Sequence, residues 1–258
     1  MGELSKRSGL NSMVPVRVEP AHHGASDVGD EALLLARIAP VIVARDRVAG
    51  AKMAREAGAS IVVMDDGIQN PSLVKDLSLL VVDARRGIGN GCVFPAGPLR
   101  APLDAQLGRA QGLVVIGKGT GAAALVDLAR ARGLAIFGGR LDPDPAAIAS
   151  ISGRKVLAFA GIGDPEKFFA TLAAAGIDVP ARRSFADHHR YTAAEAAVLV
   201  DEAARQGLTL VTTEKDRARM AGDAALGALF EQSQALPVTL TVDDEARFRA
   251  FAISCGKF

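Results

Sequence analysis

Aromatic residues are scarce in this 258-residue chain: they make up 4% of it, with no tryptophan and with Tyr191 as the one tyrosine. Stacking platforms for single-stranded nucleic acid need several such rings, so that class of function is disfavoured. Charge of one sign is lacking too. Lysine and arginine total 30 against 29 acids, for a net charge of +1, and no basic block offers DNA or RNA a clustered positive face. The two cysteines, Cys92 and Cys255, have no metal-ligand spacing and imply no disulfide, so a reducing cytosol is the simplest setting. No apolar run reaches the roughly 18 residues of a membrane span; the stretch from Leu33 to Ala44 is short and broken by Arg37. Near the start, Lys6 and Arg7 are followed by Ser, Asn, Gly and Pro, which is not the pattern of a signal peptide. A phosphate loop of the G-x-x-x-x-G-K-[ST] order is also missing.

What is present is a large apolar fraction, 49% of residues, enough for one large domain or two of ordinary size. Short β-branched runs alternate with alanine-rich helical stretches. The predicted strands are Val41–Val43, Ile61–Met64, Leu79–Asp83, Leu113–Ile116, Leu134–Phe137, Val156–Ala160, Leu208–Thr212 and Val238–Val242. Helices are predicted over Arg47–Ala57, Gly121–Arg132, Pro165–Ala175, Ala193–Arg205 and Asp243–Phe251. Near-continuous apolar strands with helices between them imply a parallel sheet covered on both faces. Asp142-Pro143-Asp144-Pro145 is the best linker, because each proline pushes its predecessor out of helical space. It places a boundary near residue 150, with an α/β domain over 1–150 and a smaller α/β domain over 151–258.

Several motifs could carry chemistry. Ser60 to Met64 is an apolar run that ends in Asp65-Asp66-Gly67-Ile68-Gln69. Two acids at a strand's carboxyl end can hold Mg²⁺ beside a nucleotide, or Asp-Gly can simply be a turn. Val28-Gly29-Asp30-Glu31 opens a predicted helix over Ala32–Arg37. Its acids either complement the helix dipole or aim a base at a substrate hydroxyl. Phe94-Pro95-Ala96-Gly97-Pro98-Leu99-Arg100 is a stiff loop that ends in a cation suited to bidentate phosphate contact.

Phe185-Ala186-Asp187-His188-His189-Arg190-Tyr191-Thr192 puts half of the chain's four histidines beside an aspartate, before a helix capped by Thr192 and Glu195. Histidine is the usual proton handler near neutral pH. Asp-His-His also resembles the signature of manganese phosphoesterases, but Arg182-Arg183-Ser184-Phe185 reads as a poor strand and the spaced upstream aspartates are missing. Gly117-Lys118-Gly119-Thr120-Gly121 and Ala160-Gly161-Ile162-Gly163-Asp164-Pro165 read as strand-to-helix connections. Thr213 and Asp216 fit a looser capping signature.

The order of these motifs along one chain says more than any one of them. Gly29-Asp30-Glu31, Asp65 to Asn70, Pro95 to Arg100, Phe159 to Phe169, Asp187 to Thr192 and Thr212-Thr213-Glu214-Lys215-Asp216 together resemble the tetraacyldisaccharide 4'-kinase family of lipid A biosynthesis. The resemblance runs from about Pro15 to the C-terminus. It implies a P-loop-kinase-like parallel sheet followed by a smaller α/β domain. It also implies ATP and Mg²⁺ as cofactors, and a sugar hydroxyl of a tetraacyldisaccharide 1-phosphate lipid A precursor as acceptor. The setting implied is the cytoplasmic face of a Gram-negative inner membrane, with no nucleic-acid partner.

By the same resemblance Asp30 activates the acceptor hydroxyl, with His188 as partner and Asp187 and Gly67 in support. Asp65 and Asp66 associate with Mg²⁺, while Arg100, Gln69 and Glu31 meet ATP or its phosphates. Two departures stand out: Ala101 replaces an expected acid, and family members carry a strand, a glycine-rich phosphate loop with Lys-Thr, and a helix ahead of the part matched here. That unit is about 30 residues or more, and residues 1–14 look foreign to the family. The expectation is therefore a sheet incomplete at its N-terminal side. Such a chain is a kinase if its true start lies further upstream, or a non-catalytic remnant. A metal-dependent phosphoesterase built on Asp187 and His188 is the third alternative.

Overall fold

The computed structural model describes residues 14–255. The chain divides into two compact units, each built from separated stretches: residues up to Ser60 with Pro143–Val238, and Ile61–Asp142 with residues from Thr239 onward. The first stretch carries β1 (Val16–Arg17), α1 (Ala25–Val28), α2 (Asp30–Leu35), β2 (Ile42–Val43) and α3 (Arg47–Glu56). The second carries β3 (Leu79–Asp83), α4 (Leu103–Leu107), β4 (Gly112–Ile116), α5 (Ala123–Ala131) and β5 (Ala135–Pro143). The third carries α6 (Pro145–Ile151), β6 (Lys155–Ala160), α7 (Pro165–Ala174), β7 (Asp178–Ser184), α8 (Ala193–Gln206) and β8 (Thr209–Thr213). It continues with α9 (Glu214–Met220), α10 (Gly227–Gln232) and β9 (Ser233–Leu236); then come β10 (Val238–Val242) and α11 (Glu245–Cys255). A single boundary near residue 150 was the sequence expectation; the chain instead passes between units after Ser60, Asp142 and Val238.

In the first unit the main sheet has the order β7-β6-β8-β9, with every neighbouring pair parallel. Central β6 shows why. Leu157 and Phe159 enter a core with Leu199, Leu210 and Met220, while Val156, Ala158 and Ala160 enter another with Phe168, Phe169 and Leu172. The pleat sends alternate residues to opposite faces, and both faces are apolar, as a helix-covered parallel strand requires. Burying each large side chain is worth about 1.5–3 kcal/mol. An antiparallel pair, β1 with β2, packs near α1 and α2 around Val18, Val28 and Leu33. The second unit has a sheet of order β10-β5-β4-β3, parallel across β3, β4 and β5. Phe137 of β5 meets Phe248 and Phe251 of α11 at ring-centroid distances of 5.0 and 5.2 Å.

The α/β class with parallel sheets is the one expected, but four strand assignments change, the short β1 being one strand that the sequence reading did not contain. Ile61–Met64 is irregular, and Val63 is 91% exposed. Apolar residues alone do not make a strand; a neighbour must supply hydrogen bonds, and among the described residues none pairs with this run. Conversely, Asp178–Ser184 is a strand despite Pro180, Arg182 and Arg183. Strand β7 lies at a sheet edge, where proline and charge are tolerated, and its charged side chains find uses. Arg183 pairs with buried Glu202, and Arg182 lies over the Phe169 ring at 5.8 Å. Strand β9 was unforeseen because Ser233-Gln234 interrupts the apolar pattern.

Candidate active site

Ligands of open parallel sheets bind beyond the carboxyl ends of the strands. In the first unit three adjacent strands deliver polar groups there: β6 runs into Gly161, β7 into the loop of His188 and His189, and β8 into α9. Gly161 is required by close approach, since a Cβ on it would stand 2.9 Å from the His189 Cβ and 3.1 Å from an Asp216 carboxylate oxygen. Asp30 joins this cluster from the first turn of α2. The preceding Gly29 sits at φ 90°, a conformation open to glycine and costly for other residues.

Asp30 is buried, at 6% exposure. Arg219 Nε donates to its Oδ2 at 2.7 Å, and the Glu31 backbone N–H donates to its Oδ1 at 3.1 Å. His188 Nδ1 stands 3.9 Å from the same Oδ2 that Arg219 holds, past hydrogen-bond length. His188 Nε2 lies 3.9 Å from Asp187. The His188 backbone is at φ 56°, and holding a non-glycine residue there costs about 1–3 kcal/mol. His189 has turned to structural work: its Nε2 is 3.1 Å from both Glu195 carboxylate oxygens, and its ring stacks on Phe185. The Thr192–Glu195 capping box that the sequence predicts is formed.

Glu31, expected at the phosphates, is held by Lys215 Nζ at 2.6 Å. Lys215 belongs to the Thr-Glu-Lys-Asp motif, and its neighbour Asp216 is fully buried. The Asp216 carboxylate accepts from the Gly161 N–H at 3.0 Å, the Tyr191 hydroxyl at 3.0 Å, the Thr213 hydroxyl at 2.6 Å and Arg219 Nη1 at 2.9 Å. Burial, and after it the Asp216 charge, pushes the Tyr191 hydroxyl far above the ordinary phenol range, so it stays a donor. Arg219 went unnoticed in the sequence. Its one signal was a cation one helical turn after Asp216, between Ala218 and Met220, both of which are buried.

The remaining candidates lie in the second unit. Asp65 and Asp66 are exposed, and Asp66 sits at φ 50° and pairs with Arg100 at 3.0 Å. Among the described residues Asp66 and His188 are the non-glycine positions with positive φ, and both had been singled out from sequence. Gly67 is buried against Met64, whose Cβ would lie 2.7 Å from any added Cβ. Gln69 Nε2 reaches Gln106 Oε1 at 3.4 Å, and Gln106 in turn donates to the Ala101 carbonyl at 2.7 Å. The stiff loop is closed by backbone bonds from Phe94 N to Leu99 O and from Leu99 N to Cys92 O. The structure thus brings Asp66, Arg100 and the Gln69 neighbourhood together in one unit, and Asp30, Glu31, Asp187 and His188 together in the other. No group of three or more His, Cys, Asp or Glu side chains in the described residues could hold a metal ion alone.

The family model described as tetraacyldisaccharide-1-P 4'-kinase matches residues 7–254. The chain belongs to that family. Membership makes it kin to phosphotransferases. The tetraacyldisaccharide 4'-kinase of Rhodopseudomonas palustris strain BisB5 is 54% identical over 250 residues, covering 97% of this chain and 73% of that protein. The tetraacyldisaccharide 4'-kinase of Nitrobacter winogradskyi is 51% identical over 248 residues, covering 96% of this chain and 74% of that protein. A crystal structure of the "apo" form of LpxK from Aquifex aeolicus in complex with ATP superposes with a TM-score of 0.68. Its sequence is 24% identical, and the match covers 96% of this chain and 77% of that one; it supports the kinase-like fold. The family match opens at residue 7, so residues 7–14 fall inside it, which corrects the expectation that they are foreign. The chain's first 13 residues lie outside the described part of the structure.

Proposed function

We propose that this protein transfers the γ-phosphoryl group of ATP to the 4'-hydroxyl of a tetraacyldisaccharide 1-phosphate, a lipid A precursor, with Asp30 as the base. The observation that carries this is Asp30 itself: a buried carboxylate at the carboxyl end of a parallel sheet, faced by His188. Family membership supplies the reaction class.

In the proposed step the acceptor oxygen attacks the γ-phosphorus and the bond from phosphorus to the β,γ-bridging oxygen breaks. ADP leaves, and the hydroxyl proton passes to Asp30. His188, partly exposed at 36% of its side chain, then carries that proton toward solvent. Phosphoryl transfer asks the protein mainly for positioning and charge neutralisation.

Asp65 and Asp66 fit Mg²⁺, which binds through one or two carboxylates and completes its shell with water and substrate phosphates. When bound, the ion neutralises phosphate charge. Arg100, poised beside Asp66, would contact a phosphate, and Gln69 would line the same region. Glu31 and Lys215 brace the start of α2 under Asp30, and Asp187 helps orient His188. No helix in the described residues is long and apolar enough to cross a membrane. Peripheral attachment at the cytoplasmic side of the inner membrane is proposed because the acceptor is a lipid.

The test is transfer of ³²P from γ-labelled ATP to tetraacyldisaccharide 1-phosphate in detergent micelles by the purified protein. Labelled bisphosphorylated product is expected from wild type, and from Asp30→Asn at a rate at least about 100-fold lower. Absence of product from wild type, with the lipid dispersed and Mg²⁺ saturating, would reject the assignment.

A further inference from the structure

One buried cation stands between two buried carboxylates, and the reaction described above leaves it unused. The side chain of Arg219 is 8% exposed, that of Asp30 7%, and that of Asp216 0%. Arg219 Nε donates to Asp30 Oδ2 at 2.7 Å. On the other side Nη1 donates to the Gly161 carbonyl at 2.7 Å and to Asp216 Oδ1 at 2.9 Å. Asp216 cannot swing away, because Gly161, Tyr191 and Thr213 also donate to it. The guanidinium is therefore fixed to the ends of β6 and β8, and it fixes Asp30 in turn. Nη2 is also buried and meets no hydrogen-bond partner among the described residues.

We infer that Arg219 is the positioning residue for Asp30: it sets the carboxylate's direction without touching substrate. This rests on the assignment of Asp30 as base. Each carboxylate oxygen offers two lone-pair directions. Arg219 takes one on Oδ2 and the Glu31 N–H takes one on Oδ1, so the direction of those left for the acceptor proton is set. A lysine in its place would keep the charge but lose the planar fork that holds Asp30, Gly161 and Asp216 at once.

The experiment compares Arg219→Lys, Asp30→Asn and wild type in the full chain, with two readouts. The first is kinetic. A misplacement of about 1 Å at a reacting group costs about 100-fold. Arg219→Lys should therefore lose about 10- to 100-fold in kcat with the KM values for ATP and acceptor unchanged. A purely structural role would lower melting temperature and the active fraction instead, leaving kcat per folded molecule alone. Arg219→Ala with added guanidinium ion extends this: partial return of kcat in the millimolar range is expected.

The second readout is the ¹⁵N-arginine NMR spectrum. A protected Arg219 Nε–H signal, assigned by its loss in Arg219→Lys, should move in Asp30→Asn. A kcat for Arg219→Lys within about twofold of wild type, while Asp30→Asn loses about 100-fold or more, overturns the inference. So does an Nε–H signal indifferent to Asp30→Asn. If wild type itself transfers no phosphate, the base assignment fails, and the NMR result still decides whether the grip on Asp30 exists.

Discussion

Two carboxylate centres, one in each unit, are built on opposite plans. Asp30 is buried and shares its arginine with Asp216, which is buried further still. Asp66 is half-exposed and pairs with one half-exposed arginine at 3.0 Å. An exposed pair of this kind is worth about 0–1 kcal/mol, while removing one member of a buried set leaves a charge stranded and costs about 3–5 kcal/mol. The difference suits the roles proposed for the two centres. A base must already point along the path of the proton, so its surroundings are set by the fold. A carboxylate that meets a hydrated ion and mobile phosphates needs room and a weak partner that gives way.

That contrast is sharpest in turnover. Asp30→Asn should lower kcat by about 100- to 10,000-fold, the range a positioned general base contributes, with ATP affinity unchanged by titration calorimetry. A variant that turns over at the wild-type rate would remove Asp30 from the reaction. Stability divides the centres next. Asp216→Ala should cost about 3–5 kcal/mol, visible as a large fall in denaturant midpoint, and Arg100→Ala less than about 1 kcal/mol. Equal losses would erase the difference between the two plans. Third, outer-shell partners alone are worth about 10- to 100-fold in metal affinity. Asp66→Ala should therefore raise half-saturating Mg²⁺ in the kinase assay by at least about tenfold. An unchanged Mg²⁺ titration would argue that Asp66 serves only its turn.

The same contrast marks what the sequence could reveal. Asp65-Asp66 and Asp187-His188 are adjacent in the chain, and Arg100 ends a stiff loop; local chemistry made them visible. The strands of β3, β6 and β8 were visible because burial on both faces leaves continuous apolar runs. Strand β7 was hidden because an edge position tolerates the charges that disguise it. The grip of Arg219 on Asp30 was hidden for a different reason: the two are separated by 189 positions. Arg219 also sits in Asp216-Arg217-Ala218-Arg219, where one arginine looks like the other. Arg217 donates to the Phe230 carbonyl and covers its ring at 4.0 Å, while Arg219 enters the site. Helical phase separates them, and only the packed sheet says which phase faces Asp30.

The smallest effect concerns the loop that presents His188. Glu195 caps α8 and holds His189. Its carboxyl is kept below the usual carboxylate range, chiefly by the Thr192 backbone N–H; burial opposes this, and the His189 and Thr192 side chains add to the lowering. A carboxylate whose folded pKa is depressed adds stability above its unfolded value and loses it as pH falls through the folded value. Wild type should therefore exceed Glu195→Gln in melting temperature at neutral pH, and the gap should close in acid, below the ordinary glutamate range. Because the pair also fixes the ring beside His188, the variant should lose some kcat at neutral pH as well. A melting-temperature gap that persists unchanged into acid would mean that shape, and not charge, holds this cap.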